Sequence, residues 1–335
     1  MKEFNNRRDF LVSAMKLSAV ICSMEVPFRA HASPLNPLAG QTATIIVPFG
    51  PGGTADILAR IMADSMSRSL GMNIIVENKL GAGGSIAAAQ IARAKPNGLT
   101  FGIASLSTHA ASPAVTAKPS YDPVKDFSAI GLIARVPLVL VASPKSGITS
   151  IADIKAKLKD KPGSLAFGSP GVGSLGHLIC EQFQQLAGVQ MLHVPYKGGA
   201  EVSHALLSGE VDISITNLPN ELAHIKAKKL TLIAITGETP DPQFPDTPTL
   251  AQAGYPTLND QSWFGFVAPK GIAPYILAAY TDALNFALEQ PDMKERISTL
   301  GGTAAPGSAQ SFSLEINRAY KQASDIAKSR NIAIN

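Results

Sequence analysis

The sequence has few of the residues that form covalent cross-links or metal sites. Its 335 residues include two cysteines, six histidines and one tryptophan. Cys22 lies close to the amino terminus and Cys180 near the middle of the chain. If the amino terminus is removed, Cys180 has no partner for an internal disulfide. An isolated cysteine in a helical pattern is most often a small buried hydrophobe, so we expect Cys180 to be buried.

Charge is also sparse, because charged residues make up 16% of the chain and the formal net charge is +4. The first 32 residues contain five basic and three acidic residues, which leaves 24 basic and 22 acidic residues in the remainder. Nucleic-acid binding depends on clustered Lys and Arg that neutralise phosphates. A chain with this balance is not expected to bind nucleic acid.

A hydrophobic run long enough to cross a membrane is missing too. Residues 10–24 are moderately apolar, but Lys16 interrupts them and they fall short of the roughly 20 apolar residues that a bilayer requires. This stretch follows the paired arginines of "NRRDFLV" and precedes Ala30-His31-Ala32, which is the layout of a bacterial export signal resembling the twin-arginine type. We expect residues 1–32 to be a signal that is cleaved near Ala32 and directs the protein to the periplasm, with the Sec route as the alternative.

The rest of the chain alternates strand patterns with amphipathic helix patterns. The first series is "TATIIVPF", "TADILARIMADSMSRSL", "MNIIVEN", "GSIAAAQIARA" and "LTFGIAS", and a second series of similar construction begins with "PLVLVAS" at residue 137. A βαβαβ order indicates a parallel sheet with helices on both faces. The sequence therefore predicts an α/β fold with two domains.

The long helical patterns after Pro274 suggest that the chain returns to the first domain. We expect two chain crossovers, near Arg135-Val136-Pro137 and near residues 258–263. Domain 1 would then consist of residues 33–137 plus 258–335, and domain 2 of residues 138–257. Two such domains can close on a ligand by hinge motion.

Two glycine-rich loops occupy equivalent places in the two series. Strand "TIIVPF" is followed by "GPGGT", and strand "SLAFGS" by "PGVGS". Each loop ends in a hydroxyl residue, Thr54 or Ser174, that suits a helix N-cap. Glycines allow backbone N–H groups to approach a ligand and the helix dipole adds partial positive charge, so each loop can bind an anion at the carboxyl edge of a sheet. Alternatively, the glycines only form tight turns.

A nucleotide and a catalytic site are the alternatives to a carboxylate. The first loop lacks the Gly-Lys-Ser/Thr ending of a P-loop. "GVGSLG" (171–176) matches G-x-G-x-x-G, but the next strand ends without the acid that would bind a ribose. No G-x-S-x-G elbow is present, and His177 with Glu181 gives two potential metal ligands without a third. We therefore expect no cofactor, no metal site and no catalytic residue.

The chain resembles the Bug family, the tripartite tricarboxylate transporter (TctC-type) solute-binding proteins, in stretches spread over the mature sequence. They are "VPFGPGGTADILAR", "VENKLGAGGSIAAAQIARAKPNGLTF", "YDPVKDFSAIGLIA", "FGSPGVGSLGHL", "VPYKGGAEVSHALLSGEVD", "TPTLAQAGYP" and "WFGFVAPKGIAP". The resemblance implies a two-domain periplasmic-binding-protein fold, of the Venus-flytrap, type II-like class, that binds a small di- or tricarboxylate or related organic acid. It also implies delivery to the subunits of a tripartite tricarboxylate-type membrane transporter, or a role in sensing. We expect a monomer.

The resemblance also implies a set of ligand-binding residues. In domain 1 it assigns backbone and hydroxyl contacts to Phe49, Gly52, Gly53, Thr54, Ala55, Ser107 and Thr108. Asp56 matches as well. Its alternative role is structural, because an acidic residue in the first turn of a helix is stabilised by the helix dipole and can pair with Arg60 four residues later. In domain 2 the candidates are Ser169, Gly173, Ser174, His177, Tyr196 and Asp212. Trp263 and Phe264 are further aromatic candidates for the cleft wall.

Overall fold

The computed structural model describes residues 38–329. The expected export signal, its cleavage point and Cys22 lie outside this range. Cys180 is buried, as the sequence predicts, and burial raises the pKa of its thiol to about 12. No helix within the described range is both long enough and apolar enough to span a bilayer.

The described residues form two β-sheets, whose strands we number in chain order. The first sheet has the strands β1 (Thr42–Val47), β2 (Asn73–Asn78), β3 (Thr100–Ser105), β4 (Phe127–Val136), β10 (Ser262–Pro269) and β11 (Thr303–Ala304). The second sheet has the strands β5 (Leu138–Ala142), β6 (Ala166–Ser169), β7 (Leu192–Pro195), β8 (Ile213–Asn217) and β9 (Thr231–Ile235).

Helices cover the faces of both sheets. Those of the first sheet are α1 (Thr54–Leu70), α2 (Ser85–Ala92), α3 (Ser112–Val115), α8 (Pro274–Glu289), α9 (Pro291–Thr299) and α10 (Ala309–Ser329). Those of the second sheet are α4 (Ile151–Asp160), α5 (Leu175–Ala187), α6 (Gly199–Ser208) and α7 (Leu218–Lys226). We call the first sheet with its helices the first lobe, and the second sheet with its helices the second lobe.

The two sheets share one strand order. The first runs β11-β4-β10-β3-β1-β2 and the second β7-β6-β8-β5-β9. In the first sheet β1 lies between β2 and β3, and in the second sheet β6 lies between β7 and β8. A strand that arrives from the other lobe is then inserted in each sheet: β10 separates β3 from β4, and β5 separates β8 from β9. This repetition agrees with the expectation of two similarly built α/β halves.

The strands of the βαβαβ order are parallel, as predicted, but each complete sheet is mixed. β10 is antiparallel to β3 and β4, and β5 is antiparallel to β8 and β9. Each of these two strands follows a chain crossover. The chain passes from β4 to β5 through Pro137 alone, so β5 enters its sheet at the edge where the parallel strands end and must run in the opposite direction. β10 enters the first sheet in the same way, with Ser262 paired to Val136.

The loops and helices are fixed by local sequence signals. Helix α1 begins after Gly53 and ends at Gly71, a left-handed residue with φ 62° whose N–H bonds to Ser67 O. Gly at this position is the usual helix stop because it has no Cβ to strain the left-handed backbone. Asp56 in the first turn and Arg68 in the last complement the helix dipole.

Each lobe has its own apolar core. In the first lobe Phe101, Phe266 and Tyr280 pack together, with Phe101 5.2 Å from Phe266 and 4.7 Å from Tyr280 between ring centroids. In the second lobe Phe167 and Phe183 are fully buried in a separate cluster. The two lobes are nevertheless in contact within one compact unit, and the domain limits drawn from the sequence stay a prediction.

Candidate functional site

The carboxyl ends of the parallel strands of both lobes lie at the lobe interface. There β1, β3, β6, β7 and β8 lead into loops or helix starts, and a small cavity of about 30 Å³ lies among them. We call it the front cavity. Its first-lobe wall contains six of the residues that the sequence predicted, and these are Phe49, Gly53, Thr54, Ala55, Ser107 and Phe264.

The start of helix α1 forms one end of the front cavity. The N-cap residue is Gly53, which provides no side-chain cap, so the prediction of Thr54 as the capping residue was wrong by one position. Thr54 instead donates from both N and Oγ1 to Oδ1 of Asn220, at 2.9 Å and 2.8 Å. The acceptor at this helix start therefore comes from the opposite lobe.

Asp56 braces the first glycine loop, residues 49–55. Its carboxylate accepts hydrogen bonds from Gly52 N, Arg60 Nε and Asn78 Nδ2, at 3.0, 2.9 and 2.9 Å. Burial raises the pKa of Asp56, but these bonds outweigh burial and hold the pKa below its ordinary value. Asp56 and Gly52 bond to each other and do not line the cavity, so the structure gives them a supporting position.

The turn after β3 separates its two candidates. Ser107 lines the front cavity, and its Oγ accepts a hydrogen bond from Leu175 N of the second lobe at 3.0 Å. Thr108 is fully buried and bonds to Ser105 and His109 within the first lobe. Only Ser107 is therefore placed to contact a ligand between the lobes.

The second glycine loop, residues 169–174, lies at the lobe interface, but its donors have partners. Ser174 is the N-cap of α5 and accepts from His177 N at 3.4 Å, as the sequence predicts. Gly173 N donates to His177 Nδ1 at 3.1 Å, and Ser174 N to Gly171 O at 3.1 Å. This loop therefore differs from the first one, where a donor pair turns to the other lobe.

An aromatic stack lies behind the second glycine loop. The His177 and His193 rings are 4.0 Å apart, and Phe167 stacks 4.7 Å from His193. Burial lowers the pKa of His177, and burial with the nearby charge of His177 lowers that of His193 to about 4. Glu181 Oε1 lies 3.7 Å from His177 Nε2. Both imidazoles are consequently neutral at pH 7.

Ser169 lies as close to a histidine as a catalytic serine lies to its general base, but its side chain is not exposed. Its Oγ lies 2.7 Å from His193 Nε2, within the range for such pairs. The side chain is fully buried and also bonds to Gly171 O and N. A substrate carbonyl cannot reach this oxygen while the loop keeps its conformation.

Tyr196 and Asp212 occupy positions outside the front cavity. Tyr196 packs against the apolar cluster beneath α6, and burial raises its pKa to about 12. Asp212 precedes β8 and its Oδ2 accepts from Ala166 N, at the amino ends of the strands, at 2.7 Å. The cavity lies at the opposite ends of these strands. The structure thus gives Asp212 a role in joining β6 to β8.

The sequence reasoning did not assign any of the second-lobe residues that line the front cavity, which include Gly199, Thr216, Asn217 and Asn220. Gly199 begins α6 in "KGGAE", and the others come from the end of β8 and the start of α7 in "TNLPNE". Both stretches are strand ends followed by helix starts, which is the same signal that identified the glycine loops. Asn217 is the N-cap of α7, and its buried Oδ1 has no partner among the described residues.

Glycine permits close approach of the lobes at this interface. An added Cβ at Gly198 would lie 2.9 Å from Gly50 N, and one at Gly83 would lie 2.8 Å from Val172 O. Gly83 also has φ +60°, whereas Gly198 has an extended backbone that any residue adopts. Because neither glycine has a side chain, the backbones of the two lobes can come into contact at these positions.

The front cavity has polar groups in a largely apolar wall and no charged side chain. None of its lining residues is Lys, Arg, Asp or Glu. Its donors are hydroxyls, amides and the backbone of helix starts, which can bind a carboxylate through hydrogen bonds and helix dipoles. Within residues 38–329 no group of three His, Cys, Asp or Glu side chains is placed to bind a metal ion.

The chain is similar to known proteins over most of its length. Residues 58–332 match the model of TctC, the tripartite tricarboxylate transporter family receptor. Among solved structures, the periplasmic binding protein BugD is 29% identical with a TM-score of 0.84, covering 88% of this chain and 98% of that one. Rpa4515 of R. palustris with adipate is 32% identical with a TM-score of 0.83, covering 88% and 98%. MatC of Rhodopseudomonas palustris with bound malate is 30% identical with a TM-score of 0.82, covering 85% and 98%. The two-lobed α/β architecture is therefore the periplasmic-binding-protein fold.

Proposed function

Because the chain belongs to the tripartite tricarboxylate transporter (TctC) receptor family, we propose that it is a periplasmic solute-binding protein that captures a small organic acid between its lobes. The structures of Rpa4515 and MatC contain adipate and malate, which are both dicarboxylates. A di- or tricarboxylate or a related acid is the expected class of ligand here.

The observation that carries this proposal is the arrangement at Thr54. Its N–H and Oγ1–H converge on a single amide oxygen, Asn220 Oδ1. A carboxylate oxygen is a stronger acceptor than an amide oxygen, since charge-assisted hydrogen bonds are shorter and roughly twice as strong as neutral ones. The partial positive charge at the start of the 17-residue helix α1 adds to this preference. A ligand carboxylate at Thr54 would replace Asn220 as the acceptor.

Opening of the lobes is part of this mechanism. The front cavity of about 30 Å³ has room for roughly one water molecule, so the cleft widens to admit an acid. The chain connections at Pro137 and near residues 258–262 are the two places where the lobes can hinge. The acid then shifts the population toward the closed form only through contacts that the open form lacks, and Thr54 with Asn217 and Asn220 can provide them from opposite sides.

The remaining parts of the proposal concern the path of the protein and its ligand. Membership of a transporter receptor family supports delivery of the acid to the membrane subunits of a tripartite tricarboxylate-type transporter. We propose that residues 1–32 act as the export signal, with the twin-arginine motif "NRRDFLV" and cleavage near Ala32. We further propose that the mature protein acts as a monomer without a cofactor, and returns its ligand chemically unchanged.

The test is a titration of the purified mature protein with adipate, malate, citrate and benzoate, followed by thermal shift and calorimetry. Adipamide is the matched control, because it has the length of adipate without its charges. A saturable rise in melting temperature with an acid, but not with adipamide, supports the proposal. Mass spectrometry of the recovered acid then shows whether the acid is chemically unchanged. Conversion of the acid, or binding of none of the four acids, contradicts it.

A further inference from the structure

Helix α7 begins at the front cavity without a free backbone donor at its first two positions. Its N-cap residue, Asn217, lines the cavity, and Leu218 and Pro219 follow. Leu218 N donates to Pro137 O at 2.9 Å, and proline has no N–H to donate. The start of α1 is different, since Thr54 offers both its N–H and its Oγ1–H. Of these two helix starts, α1 is therefore the one that suits a carboxylate.

Pro219 also explains why the side chain of Asn217 lacks the usual bond of an N-cap residue. An N-cap side chain normally accepts from the N–H of the second or third helical residue. Here the second residue is Pro219, and Asn217 makes no side-chain cap bond. Its Oδ1 is buried and has no donor among residues 38–329. A buried carbonyl oxygen without a donor costs free energy, so Asn217 brings to the front cavity an acceptor that the protein itself does not satisfy.

The hydrogen-bonding groups of the front cavity differ between the lobes. The first lobe provides donors, because Thr54 offers two and Ser107 Oγ keeps its own proton while it accepts from Leu175 N at 3.0 Å. The second lobe provides the acceptor of Asn217. A carboxylate can only accept, so it can pair with Thr54 but not with Asn217 Oδ1. The groups on both lobes are satisfied only by a ligand that carries a donor as well as a carboxylate.

A hydroxyl group fits Asn217 better than an ammonium group does. None of the residues that line the front cavity is charged, and a buried ammonium needs a paired anion. Glu221 lies one turn after Asn217 on α7, but it is fully buried, bonds to Ser203 and does not line the cavity. The partial positive charge at the start of α7 also disfavours a cation there. A hydroxyl is neutral and donates one hydrogen bond, so it has neither cost.

Building on the function proposed for this cleft, we propose that the front cavity selects hydroxy acids and that Asn217 is the residue that recognises the hydroxyl group. A carboxylate of the ligand accepts from Thr54 at the start of α1, and the hydroxyl donates to Asn217 Oδ1 at the start of α7. A site with a buried polar group discriminates against a ligand that leaves this group unpaired. Acids without a hydroxyl group therefore bind more weakly than hydroxy acids of the same length.

Two matched pairs of ligands test the selection, since malate differs from succinate, and citrate from tricarballylate, by one hydroxyl group. In calorimetric titrations of the mature protein at pH 7, we expect the hydroxy acid to bind at least about tenfold more tightly within a pair. Aspartate, which has an ammonium group in place of the hydroxyl of malate, should bind more weakly than malate. Equal affinities within the pairs, or tighter binding of aspartate, would overturn the selection and leave the carboxylate site in place. Binding of neither pair would also overturn it, and a titration with adipate then shows whether the cleft binds acids at all.

The variant Asn217→Leu tests the role of the residue. Leucine is close to asparagine in size but has no acceptor, so the affinity for the hydroxy acid should fall to that for its partner acid. Both acids are measured on the same variant, and a general loss of stability therefore affects them alike. Ser107→Ala removes a hydroxyl from the first-lobe wall and is the matched control, which should keep the ratio of the two affinities. A ratio that survives in Asn217→Leu, or that is lost in Ser107→Ala as well, would show that Asn217 does not recognise the hydroxyl group.

Discussion

Thr54 of the first lobe and Asn220 of the second are joined by two hydrogen bonds to one oxygen, at 2.9 Å from Thr54 N and 2.8 Å from Thr54 Oγ1. The start of helix α1 thus takes its acceptor from the other lobe, because its own N-cap residue is Gly53. An acceptor that belongs to the opposite lobe leaves when the lobes separate. The same donors are then available to the carboxylate of an incoming acid.

Replacement of Thr54 by Asp should abolish acid binding. The new carboxylate would place a fixed negative charge beside the buried Asp56 and repel the ligand at the helix start. We expect a loss of affinity of at least about a hundredfold, since like charges at a desolvated site cost several kcal/mol. Calorimetric titration with the acid identified for the wild type measures this loss. Thr54→Ser, which keeps both donors, is the control, and wild-type affinity in Thr54→Asp would remove this loop from the site.

The isosteric change Asn220→Asp tests the competition between Asn220 and the ligand. Its carboxylate would accept from Thr54 more strongly than the amide does and would also repel a second carboxylate. The affinity for acids should therefore fall by about ten- to a hundredfold. Asn220→Ala removes the competitor without adding charge and should bind acids clearly better than Asn220→Asp. Equal affinities of the two variants would show that Asn220 and the ligand do not share the Thr54 donors.

Gly198→Ala should weaken binding through the lobe contact alone. The added methyl would lie 2.9 Å from Gly50 N, while the extended backbone at Gly198 accepts alanine without strain. Overpacking of this kind costs about 1–3 kcal/mol, so affinity should fall by roughly tenfold or more. Gly50→Ala, whose methyl would meet only Leu80 at 3.8 Å, is the matched control. Wild-type affinity in Gly198→Ala would mean that binding does not require this closure.

Glu221 makes the stability of the second lobe depend on pH. It is fully buried in α7, and its Oε1 accepts from Ser203 Oγ at 2.7 Å. Burial raises the pKa of Glu221 to about 7, although the Ser203 bond opposes the rise. Between pH 4.5 and 7 the folded protein keeps the proton that the unfolded chain has lost. The contribution of Glu221 to the free energy of unfolding is therefore complete below pH 4.5 and declines by about 3 kcal/mol as the pH rises to 7.

The variant Glu221→Gln measures this decline directly. Glutamine stays neutral at every pH and keeps an acceptor for Ser203, so its free energy of unfolding should lack the decline. In urea unfolding, we expect the variant to gain about 3 kcal/mol relative to the wild type between pH 4.5 and 7. Parallel pH profiles of the two proteins would show that Glu221 is charged in the folded state throughout.

Elements with strong boundary signals were predicted from the sequence with nearly correct limits. Helix "TADILARIMADSMSRSL" is α1 and strand "SWFGFVAP" is β10, since Gly53 and Gly71 mark the ends of the helix and an aromatic run marks the strand. The sequence patterns did not predict strand β4 or helix α7. β4 is paired on both sides and carries Gly131 in its middle, which removes the alternation typical of an exposed strand. α7 is short and begins with proline.

The candidate site shows the same division. The first glycine loop was found because its residues are contiguous in the chain and placed at a strand end. Asn217 and Asn220 were missed because helix α7 was not predicted. In addition, Asn220 meets Thr54 only through the contact between the lobes, and these two residues are 166 positions apart in the chain. The second glycine loop was assigned donors that the structure shows engaged with His177 and Gly171. Hydrogen bonds of this kind within a loop leave no periodic signal in a sequence.

The crystal structure of the mature protein with adipate is the most direct test of the account. We predict a carboxylate oxygen within about 3.2 Å of Thr54 N, with Asn220 Oδ1 displaced from that position and both lobes in contact with the acid. An adipate bound on the second glycine loop or elsewhere outside the front cavity, with Thr54 still bonded to Asn220, would contradict it.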